Sequence, residues 1–172
     1  MRTPIWSEDY IAKALAYQLF NRAELVIPNC YWTGHETDLL VIERKNLRII
    51  DVEIKISRSD LKADTKKDKW WHHRPWSRRH EAAKPRKWPD KVWKHYYVMP
   101  ASIWDGKLID HLPEASGIVL LAEQRNASTP IAARLIRRAH PCRDAKPISP
   151  QDAIDLARLA SLRMWAALTK EK

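Results

Sequence analysis

Apolar residues recur at two different periods along this chain, and the switches between them predict its elements. Residues 7–20 (SEDYIAKALAYQLF) carry the helical period: Ile11, Leu15 and Leu19 fall every four residues, Ser7 is an N-cap candidate, and Glu8 and Asp9 sit in the first turn. Residues 25–32 are extended in character, with Pro28 marking an edge strand or a break. Residues 37–43 (TDLLVIE) predict a strand, Arg44-Lys45-Asn46 a turn, and residues 47–57 the clearest strand of all. There Ile50, Val52, Ile54 and Ile56 share one face, while Asp51, Glu53, Lys55 and Ser57 share the other.

Downstream, Ser59 can cap a helix over residues 60–71. Residues 72–90 (HHRPWSRRHEAAKPRKWPD carries three prolines) lose all periodicity and predict an exposed insertion. A strand follows at 95–99, a short helix at 101–111, and a pair of strands at 116–122 and 131–136. Ser149, Pro150 and Asp152 then open a last helix, whose buried side is expected along Ile154, Ala157, Met164/Trp165 and Leu168. Helices interspersed with strands predict an α/β fold around a small mixed β-sheet of four or more strands flanked by helices.

Composition narrows the class. A chain of 172 residues, 45% hydrophobic and 30% charged, is expected to fold as one domain over 1–172, with a basic, Trp-rich insertion at about 72–90. No apolar run nears the roughly 20 residues of a membrane span, and Met1-Arg2-Thr3-Pro4 starts no signal-peptide hydrophobic region. The expectation is a soluble, cytoplasmic protein, of a bacterium or a phage-infected cell. Cys30 and Cys142 have no CxxC partner and read as free, partly buried thiols.

Charge is concentrated rather than spread. Between Lys62 and Lys94 stand twelve Lys/Arg and four acids, a net +8 out of the chain's +10. A polyanion-binding surface has this form, because each cation that neutralises a phosphate releases a condensed counterion. DNA is the expected partner, with no membrane and no small-molecule cofactor, and a homodimer is left open. From Trp70 to Trp93 five tryptophans (Trp70, Trp71, Trp76, Trp88, Trp93) are interleaved with the cations. Indole rings stack on unpaired bases at about 1–3 kcal/mol per base; Trp70, Trp88 and Trp93 serve equally well as anchors holding the insertion to the domain. The nucleic-acid-binding set expected here is Lys62, Lys66, Lys67, Lys69, Arg74, Trp76, Arg78, Arg79, Arg86 and Lys87. His72, His73 and His80 lack the cysteine pair that would complete a zinc site.

Candidate chemistry lies on the two early strands. Phosphodiester hydrolysis needs an activated water, neutralisation of developing negative charge and a stabilised leaving oxygen, and hard divalent cations held by carboxylates supply these. A hairpin turning at Arg44-Lys45-Asn46 brings Asp38 and Glu53 together, and Lys55 leaves the same sheet face as Glu53. Its ammonium can orient or deprotonate a water, and the backbone carbonyl of Ile54 is a natural further metal ligand. The competing explanation is a solvated polar strand face, a common pattern in half-buried strands. Asp51 counts against it, because carboxylates crowded beside an all-Ile/Val face repel unless a metal or Lys55 neutralises them.

The stretch GHETDLLVIERKNLRIIDVEIKISRSDLKADTKKDKWW (34–71) resembles the PD-(D/E)XK nuclease superfamily, and within it the MmcB-like DNA-repair group. In that group an Asp-bearing strand, a strand ending E-x-K-x-S and a helix rich in Asp, Lys and Trp follow one another. Asp38, Glu53-Ile54-Lys55-Ile56-Ser57, Asp60, Asp64 and Lys69-Trp70 match those features here, and KHYYVMP (94–100) resembles the next core strand. The likeness covers roughly residues 25–100. It implies a restriction-endonuclease-like core, with Asp38, Glu53 and Lys55 catalytic and Mg²⁺ (or Mn²⁺) cleaving DNA. Thr37 stands where the superfamily often has proline. Many members add a glutamate from the first helix as a metal ligand; Glu8 is the candidate, with Glu24 and Glu36 as alternatives. The rival from another class is a non-catalytic nucleic-acid-binding protein on the same fold.

Overall fold

The computed structural model describes residues 6–72, 84–124 and 131–170. Along the chain run α1 (Glu8–Gln18), β1 (Leu25–Cys30), β2 (Thr37–Ile42), β3 (Ile49–Ile54), α2 (Arg58–Asp64), β4 (Val92–Pro100), β5 (Gly117–Glu123), β6 (Ile131–Arg137) and α3 (Pro150–Lys170). The six strands form a single sheet in the order β1-β2-β3-β4-β5-β6. β1, β2 and β3 pair antiparallel, β3–β4 and β4–β5 pair parallel, and β5–β6 returns antiparallel. The molecule is thus an α/β protein with a mixed sheet flanked by helices, as the order of segments predicts.

Each face of the sheet is covered, and this decides what happens to the polar face of β3. On one side α1 sets Ile11 and Leu15 against Leu39, Val41, Ile50, Val52 and Ile54. On the other, Leu156 of α3 packs with Ile27, Leu40, Ile42 and Ile49. Leu61 of α2 and Trp70 join Tyr97, Met99, Ile118 and Leu120 on the same side. Each such buried Leu or Ile contributes about 1.5–3 kcal/mol. Since β3 is interior to the sheet and covered twice, all six of its residues are buried. Asp51 and Glu53 therefore point into a packed layer, not into solvent.

Several elements differ from the sequence expectation for identifiable reasons. β3 begins at Ile49, because the β2–β3 turn closes with Leu47 at φ 50° and with hydrogen bonds from Leu47 N to Glu43 O and from Glu43 N to Arg48 O. It ends at Ile54, leaving Ile56 exposed, and Ser57 rather than Ser59 caps α2 by accepting the Asp60 amide. The helix expected over 60–71 stops at Asp64. After a turn, Asp68–Trp70 forms only a 3-10 turn, since carrying Lys69 and Trp70 into the interior outweighs helical propensity. The helix expected at 101–111 is two 3-10 turns, Ala101–Ile103 and Gly106–His111, the second capped by Asp105.

α3 begins with the Ser149/Asp152 capping box, but its buried side is not the expected one. Leu156 is fully buried, with Ala153, Leu159 and Ala160 partly so, whereas Ile154, Ala157, Met164, Trp165 and Leu168 are exposed. The helix is apolar on two sides, so periodicity had two stripes to choose from. Cys30 is buried, Cys142 half-buried, and both are free. No helix among the described residues is long and apolar enough to cross a membrane.

Candidate metal centre

Register places the chemistry. β2 and β3 pair Leu40 with Asp51 and Leu39 with Val52, so the next step sets Asp38 beside Glu53. On the other flank of β3, parallel pairing sets His95 beside Asp51 and Tyr97 beside Glu53. Three adjacent strands thereby present acids, an imidazole and a phenol on one buried face.

Lys55 follows β3 and is anchored by its amide to Val98 O. Its Nζ lies 2.7 Å from Glu53 Oε2, 3.3 Å from Asp64 Oδ1 and 3.6 Å from Asp38 Oδ2. Asp38 Oδ2 also accepts the Ile54 amide at 2.7 Å. The expected trio of Asp38, Glu53 and Lys55 is thus brought together. Burial would lower the Lys55 pKa, yet the charges of Glu53, Asp64 and Asp38 win and hold it above its ordinary range. It is a permanent ammonium at neutral pH, suited to donating and not to taking a proton.

Two lysines that the sequence assigned to the nucleic-acid surface also reach this cluster, and one of them, Lys69, is buried in it. Lys69 Nζ sits 2.6 Å from Glu53 Oε1 and 3.2 Å from Asp64 Oδ2, with its side chain 1% exposed. Lys67, half-exposed, reaches Asp64 Oδ1 at 2.8 Å and Glu53 Oε2 at 3.8 Å. Tyr97 Oη donates to Asp64 Oδ2 at 2.7 Å. Burial would raise Asp64, but the Lys69 and Lys55 charges and the bonds from Lys67 and Tyr97 prevail and hold it well below the carboxylate range. Asp38 goes the other way. Burial first, then Glu53 and more weakly Glu8, push it up to about 7 against the pull of Lys55 and the Ile54 amide. Glu8 is exposed on the first turn of α1.

Asp51 lies deeper, beyond reach of these lysines. Its Oδ2 faces His35 Nε2 at 3.1 Å and His95 Nε2 at 3.9 Å. Burial lowers the His95 pKa to about 3 despite Asp51, so its imidazole is neutral. Ligand atoms of Asp51, Glu53 and His95 lie within 4.8 Å of one another, which makes this trio able to hold a metal ion. His35, expected to be a loop residue, is one, but it also reaches the interior. Neither it nor His95 could be linked to Asp51 from sequence, since both contacts depend on pairing across strands or loops.

The rest of the expected set is divided. Lys62, Lys66 and Lys87 are exposed, Arg86 is half-buried beside Asp90 at 3.5 Å, and Arg74, Trp76, Arg78 and Arg79 lie outside the described residues. Trp70 is buried edge-on to His95, and Trp88 Nε1 donates to His140 O, as anchors would. Trp93 is half-buried with the Arg48 and Lys94 cations against its ring. A cleft of about 500 Å³, lined by His35, Lys67, Lys69, Trp71 and Arg86 among others, opens onto the charged cluster.

The chain matches no family model, no curated protein and no solved structure at a significant level.

Proposed function

We propose that this protein is a metal-dependent DNA nuclease of the PD-(D/E)XK kind, folded as one domain. The observation that carries the reading is Lys55 seated between Asp38 and Glu53, in a charged cluster whose Lys67 and Lys69 also line a cleft. The run β2-β3-α2-β4, with Asp38 on β2 and Glu53 on β3, supports it, being the order the superfamily resemblance implies.

Asp38, Glu53 and the Ile54 carbonyl would hold Mg²⁺ or Mn²⁺, with Glu8 as an outer carboxylate. The donor set fits a hard cation, because the oxygens of Asp38 and Glu53 stand side by side across β2 and β3, and burial together with the Glu53 charge leaves Asp38 short of compensating positive charge. The bound ion would supply a more acidic water and charge neutralisation at the scissile phosphate. Lys55 then orients the attacking water and stabilises charge developing on the phosphate, as a fixed donor in a partly dry site. Exposed Lys62, Lys66 and Lys87, with Arg86, hold the DNA backbone. Lys69 is left out of that surface, since its ammonium is committed to Glu53 and Asp64.

A specific observation favours the second reading, a binding protein without turnover. Glu53 is neutralised by Lys55 and Lys69 with no metal required, and its side chain is 1% exposed. Linear, nicked, branched and single-stranded DNAs incubated with Mg²⁺, Mn²⁺ or EDTA separate the two. Divalent-dependent cleavage of any of them supports the nuclease; salt-sensitive binding with no cleavage of any supports the binder.

A further inference from the structure

The charge cluster leaves one carboxylate behind. Lys55, Lys67 and Lys69 reach Asp38, Glu53 and Asp64, but among the described residues no ammonium comes within 4 Å of Asp51. Asp51 is nevertheless fully buried, and its Oδ1 has no hydrogen-bond partner. An isolated buried carboxylate costs several kcal/mol, so something must face it. What faces it is a pair of imidazoles, His35 Nε2 at 3.1 Å and His95 Nε2 at 3.9 Å, the second fully buried and without a partner of its own.

The far side of His95 shows how that nitrogen is presented. Nδ1 and Ser116 Oγ are 2.9 Å apart. If Nδ1–H donates to the serine, the bare lone pair of Nε2 is aimed at the carboxylate oxygen that His35 Nε2 also contacts, an arrangement that a cation among the three makes favourable. If the serine donates instead, Nε2–H points toward Asp51 across a gap too long for a hydrogen bond. The first case is the one metal sites use, the imidazole donating its other N–H so that the free nitrogen can take the ion. Donors around a tetrahedral ion, with bonds of roughly 2.0–2.1 Å, stand about 3.4 Å apart. The two separations measured to Asp51 Oδ2, 3.1 and 3.9 Å, bracket that value.

We infer that Asp51 and His95, with His35 closing the site from the cleft, bind a borderline divalent ion of the zinc class; Glu53, which comes within 4.8 Å of Asp51 and His95, is already paired with Lys55 and Lys69 and is left to the proposed magnesium centre. Two imidazoles and one carboxylate suit zinc and disfavour magnesium, which takes oxygen ligands. His35 lines the 500 Å³ cleft, which gives the ion its entry and leaves a fourth position for water. The ion would tie the loop before β2 to β3 and β4, fixing one wall of the cleft. Asp38 and Lys55 take no part, so the inference does not depend on the nuclease reading.

The test uses the full chain, stripped of metal and titrated with Zn²⁺ in the presence of excess Mg²⁺, with X-ray absorption at the zinc edge. The expected result is one tightly held zinc per chain showing imidazole scattering. His35→Ala and His95→Gln should each weaken it by about tenfold or more, while Asp38→Asn retains it. A wild-type protein that holds no zinc against magnesium, or a bound zinc that lacks imidazole ligands or is held equally well by His35→Ala, overturns the inference. Loss of Mg²⁺ binding alone would count against the nuclease centre and leave this site standing.

Discussion

Lys69 Nζ lies 2.6 Å from Glu53 Oε1, and each side chain is 1% exposed. This is an internal ion pair, although the two atoms lack good hydrogen-bond alignment. Removing one partner of a buried pair leaves the other charge uncompensated, at a cost of about 3–5 kcal/mol. Lys69→Ala is therefore expected near the lower end of that range, because Lys55 still faces Glu53. Urea denaturation reads this directly; a change under 1 kcal/mol would show that the pair does not hold the fold.

Asp64→Asn tests the same cluster from the acid side. Asp64 is ionised far below the usual carboxylate range in the folded protein. Its stabilising contribution is thus complete above the unfolded value of about 3.9 and fades as pH falls below that. The variant is expected to lose about 3 kcal/mol or more at neutral pH, with the gap to wild type narrowing only in strong acid. A gap independent of pH down to the acid unfolding limit would contradict the charge assignment.

Asp38 should show the opposite sign. With a folded pKa raised to about 7, it keeps its proton where the unfolded chain has lost it, so its ionisation destabilises the metal-free fold progressively from about pH 4 to pH 7. Asp38→Asn, still able to accept the Ile54 amide, is expected to be more stable than wild type by about 1–3 kcal/mol at pH 8 in EDTA, and no more stable near pH 4. Equal stability at both pH values would show that Asp38 is not crowded as described. Gain on removing a site residue is the usual mark of a site shaped for something other than stability.

The strands that build the site are legible in the sequence. The period-2 pattern of 49–54 gave β3 and placed Asp51 and Glu53 together, and the turn at 44–46 gave the hairpin that brings in Asp38. The burial of that polar face was not readable, because an alternating strand looks the same whether its polar side meets water or counter-charges. Lys69 looks like a surface cation in the sequence for the same reason: its partner Glu53 is sixteen residues away, and its inward turn depends on α2 ending at Asp64. His95 and Tyr97 join the site only through the parallel β3–β4 register, which no local pattern reveals. On α3 the two apolar stripes left the choice of face to packing against β1 and β2.

The exposed lysines carry a prediction of their own. Lys62, Lys66 and Lys87 extend into solvent. Replacing all three with alanine is expected to weaken binding to every duplex sequence alike and to reduce the slope of log affinity against log salt by about 0.9 per lost phosphate contact. Fluorescence anisotropy over a salt series measures it. An unchanged slope would move the DNA surface elsewhere.

The most direct test of the account is single-turnover cleavage of the preferred DNA in Mg²⁺ by wild type and by Lys55→Ala, with folding verified for both. The account predicts cleavage that EDTA abolishes and that falls by about 10²–10³-fold in the variant. Undiminished cleavage by Lys55→Ala, or cleavage that persists in EDTA, would contradict it.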